Sequence, residues 1–159
     1  MGKNFLHIAI CAAREAGKVI MEYYHTDYLV ESKSDGSPLT SADKKSNEIL
    51  LSLLKKTGLP IVSEECKENS DKPNTYWLID PLDGTKDFLA HNDEFTVNIA
   101  LIQQNIPILG VVYAPALDEI YVGQKGSVTW CMIKGMRKEC NPTEKSISCR
   151  MAISRFHNH

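Results

Sequence analysis

The apolar residues of this chain change period once, and that change restricts the folds open to it. Over residues 4–25, Phe5, Ile8, Ala9, Ala12, Ala13, Ala16, Ile20 and Tyr24 recur at helical spacing, which predicts a long amphipathic helix. A second helix is predicted after residue 40, with Ile49, Leu50, Leu53 and Leu54 on its buried face. Thr40 is placed as its N-cap and Asp43, three residues later, completes an aspartate version of the capping box; Gly58 and Pro60 stop the helix. From residue 60 the period falls to two. Strands are predicted over 60–63, 76–79, 95–102, 106–114, 119–123 and 128–133. Phe95, Val97, Ile99 and Leu101 share one side, and Thr96, Asn98 and Ala100 the other. The connections at 105–107, 115–118 and 124–126 are short enough for antiparallel hairpins. Residues 33–38 and 66–75 carry turn-forming and polar residues and are predicted as loops. Two helices followed by a strand meander predict an α+β layered domain, two helices packed on a largely antiparallel sheet.

Bulk properties remove several functions. The 159 residues suggest one domain, and 43% hydrophobic with 24% charged residues suits an ordinary globular protein. A net charge of −2 attracts neither a nucleic acid polymer nor an anionic membrane, so a bound anion needs a local device such as a cation or a helix terminus. The five cysteines are odd in number and form no C-x-x-C pair, which points to free thiols in a reducing compartment rather than a zinc site. Arg14 and Glu15 interrupt the first apolar stretch, so it does not read as a signal peptide, and Leu6 stands where a myristoylation motif needs Ser or Thr. The apolar stretch 106–117 contains Pro107, Gly110 and Pro115 and is too short to span a bilayer. A cytoplasmic location is expected.

The chemistry concentrates in Asp80-Pro81-Leu82-Asp83-Gly84-Thr85. An apolar strand is expected to deliver Asp80 at its carboxyl end, and Pro81 stiffens the exit. Asp83 follows within reach of the same ion. Gly84 permits a bend, and Thr85 to Leu89 is placed as a short helix whose first N–H groups face an anion. Carboxylates beside an anion site repel one another and the anion, unless a divalent cation reverses the field. The candidate ligands are Glu64, Asp80, Asp83 and the Leu82 carbonyl, all oxygen, which suits Mg²⁺ or Mn²⁺. Plainer readings stand beside this one. The Asp-Pro-x-Asp-Gly string also reads as a turn, Glu64-Glu65 as a solvated acidic pair, and Asp43 as a cap.

In this order, Asp43, then Glu64-Glu65, then Asp80-Pro81-Leu82-Asp83-Gly84-Thr85, the motifs resemble the inositol monophosphatase superfamily of lithium-sensitive, magnesium-dependent phosphatases. Residues 37–43, 77–88, 94–101 and 107–115, with Lys86-Asp87-Phe88 in place of Thr-Asn-Phe, are most similar to its bacterial 3′(2′),5′-bisphosphate nucleotidase branch. The resemblance implies the layered sandwich of sugar phosphatases. It implies that Glu64, Asp80 and the Leu82 carbonyl bind a first Mg²⁺, that Asp80 and Asp83 bind a second, and that Glu64 holds a third through water. Glu64, Leu82, Asp83, Gly84 and Thr85 then contact the substrate, with the Gly84 and Thr85 amides on its phosphate. Thr85, oriented by Asp43, deprotonates or positions the attacking water, and Lys33 lies in a loop near the site.

The expected reaction is hydrolysis of a small phosphomonoester, adenosine 3′,5′-bisphosphate to AMP and phosphate. An inositol monophosphatase is the alternative, and so is a metal- and phosphate-binding unit without turnover. The resemblance also divides the chain: residues 1–155 correspond to an amino-terminal metal- and phosphate-binding lobe, and 156–159 to the opening of a second lobe that in the family carries a further metal-binding Asp in a Trp-Asp pair. Neither Trp77 nor Trp130 precedes an Asp here. Surfaces made for that lobe would favour association, so a homo-oligomer is an expected partner state, and peripheral attachment to the inner membrane is expected by analogy alone.

Overall fold

A computed structural model describes residues 4–25, 30–32, 38–65 and 73–140, with the backbone alone described at 30–32 and 38–40. Helix α1 spans Phe5–Tyr24 and is opened by Asn4, whose side chain accepts from the His7 N–H at 3.1 Å. Its buried stripe is Ala9, Ala12, Ala13, Ala16, Ile20 and Tyr24. The small residues let the helix lie close against the sheet. Gly17 packs so tightly on the Tyr113 ring and Pro115 that a Cβ there has no room.

After strands β1 (Val30–Ser32) and β2 (Pro38–Thr40), which pair antiparallel as a small separate sheet, α2 runs over Ser41–Leu54. Leu50 and Leu54 are fully buried against α1 and the sheet. The helix tightens into a 3₁₀ turn at Lys55–Thr57 and stops at Gly58, which takes the left-handed conformation (φ 78°) that a C-terminal cap requires.

Seven strands form the main sheet in sequence order: β3 (Ile61–Ser63), β4 (Thr75–Asp83), β5 (Thr96–Gln103), β6 (Ile106–Ala114), β7 (Glu119–Gln124), β8 (Trp130–Ile133) and β9 (Met136–Glu139). Every neighbouring pair is antiparallel except β3 and β4, which run parallel. One face carries Trp77, Ile79, Val97, Ile99, Leu101, Val111, Ile120 and Val122 into the core beneath the helices. The Trp77 indole N–H donates to Thr57 Oγ1 at 3.0 Å, so its polar edge is satisfied inside that core. On the other face Leu78, Val112 and Tyr121 are about two-fifths exposed.

The two helices and the largely antiparallel sheet agree with the sequence-based expectation. Several boundaries differ. The strand expected to end at residue 79 continues to Asp83, with a register shift between Asp80 and Asp83 that admits the Pro81 kink. The turn expected at 105–107 is made by Gln104 and Asn105, both at positive φ (50° and 60°), as a two-residue hairpin turn requires. Val128 stays outside β8 and is exposed. Strands β1, β2 and β9 carry too little apolar alternation to be foreseen. Most of the loop expected at 66–75, the loop expected at 33–38 apart from Pro38, Lys33 itself and the segment 156–159 lie outside the described residues. No helix among the described residues is long and apolar enough to cross a membrane.

Candidate active site

The parallel pair builds the site. Ser63 lies opposite Ile79 in the register, and the Glu64 N–H donates to the Ile79 carbonyl at 3.1 Å. The next residue along each is acidic, so Glu64, just past the end of β3, and Asp80, still paired with Asn98 in β4, stand side by side. Helix α2 holds both exits. The Ser46 hydroxyl, fully buried, donates to the Pro81 carbonyl at 2.7 Å, and the Ser63 hydroxyl donates to Asn47 Oδ1 at 2.8 Å.

Beyond Asp80 the chain folds back on itself. The Leu82 N–H donates to Asp80 Oδ1 at 3.2 Å, and the Thr85 hydroxyl donates to the Leu82 carbonyl at 3.2 Å. Gly84 sits at φ 85°, and a Cβ there would stand 2.8 Å from the Glu94 carbonyl oxygen. Both the left-handed backbone and the space demand glycine. Helix α3 (Thr85–Leu89) starts directly after it. Phe88 anchors α3 in an aromatic cluster with Tyr24 and Phe95, and the Tyr24 hydroxyl donates to Asp93 at 2.8 Å.

The electrostatics single out Asp80. Burial raises its carboxyl pKa first; a hydrogen bond with Glu64 and the charges of Glu64, Asp83 and Asp43 raise it further, up to about 8. Four carboxyl groups, from α2, β4 and the turn after β3, thus share one field, which favours the protonated form of Asp80. Asp43 contributes from the first turn of α2, where it is 1% exposed. Such a group of like charges suits a hard divalent cation, which replaces the shared proton and is held by oxygen donors alone. The fit is partial in this arrangement. Asp83 is exposed and accepts from Asn98 Nδ2 at 3.1 Å, and among the described residues no three His, Cys, Asp or Glu side chains stand together as a ready ligand set. Glu64 and Asp80 form the nucleus, with the Leu82 carbonyl and Asp83 flanking it.

Of the residues singled out in the sequence, Glu64, Asp80, Leu82, Asp83, Gly84 and Thr85 lie on two adjoining turns, and Asp43 lies behind them. The Thr85 proton is directed to Leu82 rather than to Asp43 in this structure. Three residues of the site escaped the sequence reading: Ser46, Asn47 and Asn98. For Asn98 a signal existed, since strand alternation places it opposite the buried side of β5; the register sets it beside Asp80. Next to the acidic pair lies a cleft of about 490 Å³ on the exposed sheet face, floored by Val62, Leu78, Ala100, Gly110 and Val112 and ending at Glu64, Asp80 and Asn98.

Fold and site together define a class: α+β proteins that gather oxygen ligands where strands end, beside a glycine turn and a helix start. Comparison with known proteins makes this specific. The chain belongs to the inositol monophosphatase family, which it matches over residues 2–158. It is 48% identical over 117 residues to the 3′(2′),5′-bisphosphate nucleotidase CysQ of Buchnera aphidicola, an alignment covering 69% of this chain and 44% of that protein. The solved CysQ of Bacteroides thetaiotaomicron, described as a bacterial member of the inositol monophosphatase family, superposes with a TM-score of 0.71 at 38% identity over 83% of this chain and 51% of that one. An IMPase/NADP phosphatase complexed with Mg²⁺ and phosphate shares the fold, with a TM-score of 0.65, 21% identity and 74% and 46% coverage. The chain spans about half the length of the curated relatives it matches.

Proposed function

We propose that this chain carries the metal- and phosphate-binding machinery of a magnesium-dependent phosphomonoesterase whose substrate is a nucleoside 3′(2′),5′-bisphosphate. The observation that carries the reading is the meeting of Glu64 and Asp80 just past the parallel pairing of β3 with β4, in a field that raises the Asp80 pKa. The nucleotidase names of the similar proteins supply the substrate class.

In this reading Glu64, Asp80, Asp83 and the Leu82 carbonyl hold two Mg²⁺ ions, with a third held through Glu64, and Mn²⁺ serves in their place. The bound cations supply charge neutralisation and a water of lowered pKa. The rest falls to the chain itself. Gly84 and Thr85 present backbone N–H groups, unsatisfied at any helix start, to the phosphate oxygens. Thr85, released from the Leu82 carbonyl and turned toward Asp43, positions the attacking water, and Asp43 takes up the proton. Glu64, Leu82 and Asp83 also border the substrate phosphate. Residues 1–155 form the lobe that does this work. Direct in-line attack needs no covalent enzyme intermediate, so catalysis rests on positioning and electrostatics.

A second reading, a Mg²⁺- and phosphate-binding unit without turnover, is favoured by one observation: Asp83 faces Asn98 instead of joining Glu64 and Asp80. Phosphate release from adenosine 3′,5′-bisphosphate decides between them. Release that requires Mg²⁺ and disappears in Asp83→Asn supports the hydrolase. Binding of Mg²⁺ and phosphate without release supports the second reading. Faster turnover of inositol 1-phosphate, measured on the chain joined to a family second lobe, refutes the nucleotide assignment.

A further inference from the structure

The last hairpin of the sheet brings together two thiols that the phosphatase reading does not use. Cys131 lies in β8 and is buried; Cys140 follows β9 directly and is half-buried. The hairpin register pairs Cys131 with Lys138, and the Cys140 N–H donates to the Thr129 carbonyl at 2.8 Å. Cys140 is therefore the diagonal neighbour of Cys131 on one face of the ribbon. The interaction with Cys131 is also the largest influence on the Cys140 thiol and holds its pKa above the ordinary value. The opposite face is locked by Arg137, whose guanidinium lies 4.5 Å from the centre of the Trp130 ring, so the register that sets the thiols together is itself held.

We propose that Cys131 and Cys140 are a modification site: an oxidisable pair that closes to an intrachain disulfide across the β8–β9 hairpin. Cys140 is the accessible member. Its thiolate attacks a small-molecule disulfide such as oxidised glutathione, forming a mixed disulfide and expelling one glutathione thiolate. Cys131, the diagonal neighbour on the same face, then attacks the Cys140 sulfur and expels the second. Two S–H bonds are lost and one S–S bond forms; the two protein thiols are oxidised, one glutathione disulfide is reduced to two thiols, and the protons pass to those thiols. Cys140 stands just past β9, tied to the ribbon through its N–H on the Thr129 carbonyl, and closing the bridge shifts that end of the ribbon. Cys11 supplies the contrast. It is exposed, its sulfur contacts a His7 ring nitrogen at 3.6 Å, and the described residues place no second thiol beside it.

The test uses the full chain, incubated folded with oxidised glutathione, alkylated and digested with trypsin. Cleavage after Lys125, Lys134, Lys138 and Lys145 separates the two cysteines, so the expected product is peptide 126–134 joined to peptide 139–145. Cys131 and Cys149 are equally distant from Cys140 in the sequence, so a chain oxidised in urea should link Cys140 to both. A folded chain that gives the same mixture as the unfolded one, or that ends with separate glutathione adducts on the two peptides, overturns the proposal. Cys131→Ala should trap glutathione on Cys140 as a lasting adduct. Cys140→Ser, at a half-buried position outside the strands, should retain the fold by circular dichroism and leave Cys131 reduced. A second linkage of equal yield in the folded Cys140→Ser chain also overturns it.

Discussion

Ser46 on α2 donates its buried hydroxyl to the carbonyl of Pro81, 2.7 Å away, and so ties the second helix to the turn between Asp80 and Leu82. The bond clamps the helix layer directly to that acidic turn. Ser46→Ala removes the donor and leaves a buried carbonyl unsatisfied, at a cost of about 1–3 kcal/mol. Urea denaturation should show that loss, and isothermal titration should show weaker Mg²⁺ binding than in the parent chain. Unchanged stability would mean that the Pro81 carbonyl finds water instead.

Gly84 has two reasons to be glycine. Gly84→Ala places a Cβ 2.8 Å from the Glu94 carbonyl in a left-handed backbone at φ 85°. A destabilisation of about 1–3 kcal/mol is expected, with α3 displaced from the turn. Thermal unfolding measures the first effect, and the loss of inorganic phosphate binding in the presence of Mg²⁺ measures the second.

Asp80 predicts a pH dependence of opposite sign to that of most carboxylates. Its pKa rises from an ordinary 3.8 to about 8 on folding. Between those values the folded chain binds more protons than the unfolded one, so stability falls as pH rises. The contribution is complete below the ordinary value and is gone once pH passes the folded value. Melting temperatures of the metal-free chain should therefore decline across this window. Asp80→Asn should flatten the decline, and saturating Mg²⁺ should reverse it by replacing the proton with a stronger cation. A decline of the same slope in Asp80→Asn would assign the effect elsewhere.

Asn98 orients Asp83 from the neighbouring strand at 3.1 Å. Both groups border water, so Asn98→Ala should alter folding stability by no more than about 0.5 kcal/mol. Loss of an orienting partner typically weakens metal binding about 10–100-fold, and the same is expected here for Mg²⁺. Titration calorimetry beside urea denaturation separates the two effects.

Periodicity made the large elements legible. Ala9, Ala12, Ala13 and Ala16 announce α1, and Val97, Ile99 and Leu101 announce β5, because burial on one side leaves a repeat in the sequence. Met136-Arg137-Lys138-Glu139 leaves none, since all four residues of β9 are exposed and pairing there is a backbone property. The parallel direction of β3 was equally hidden: three residues, Ile61 to Ser63, carry no mark of which way a neighbour runs. The acidic residues of the site were visible as a motif. Their support was not, because Ser46, Asn47 and Asn98 act through contacts between elements far apart in the chain.

The lone parallel pairing also bears on when the site comes into being. Hairpins β5 to β9 close locally, each from adjacent strands, and such local contacts favour early formation. Strand β3 pairs in parallel with β4, so no tight turn can join the two. Docking of β3 is what brings Glu64 beside Asp80, and a bound cation would hold the two together. Backbone amides of β3 should therefore be the first in the sheet to exchange with deuterium, and the metal that serves the chemistry should slow that exchange.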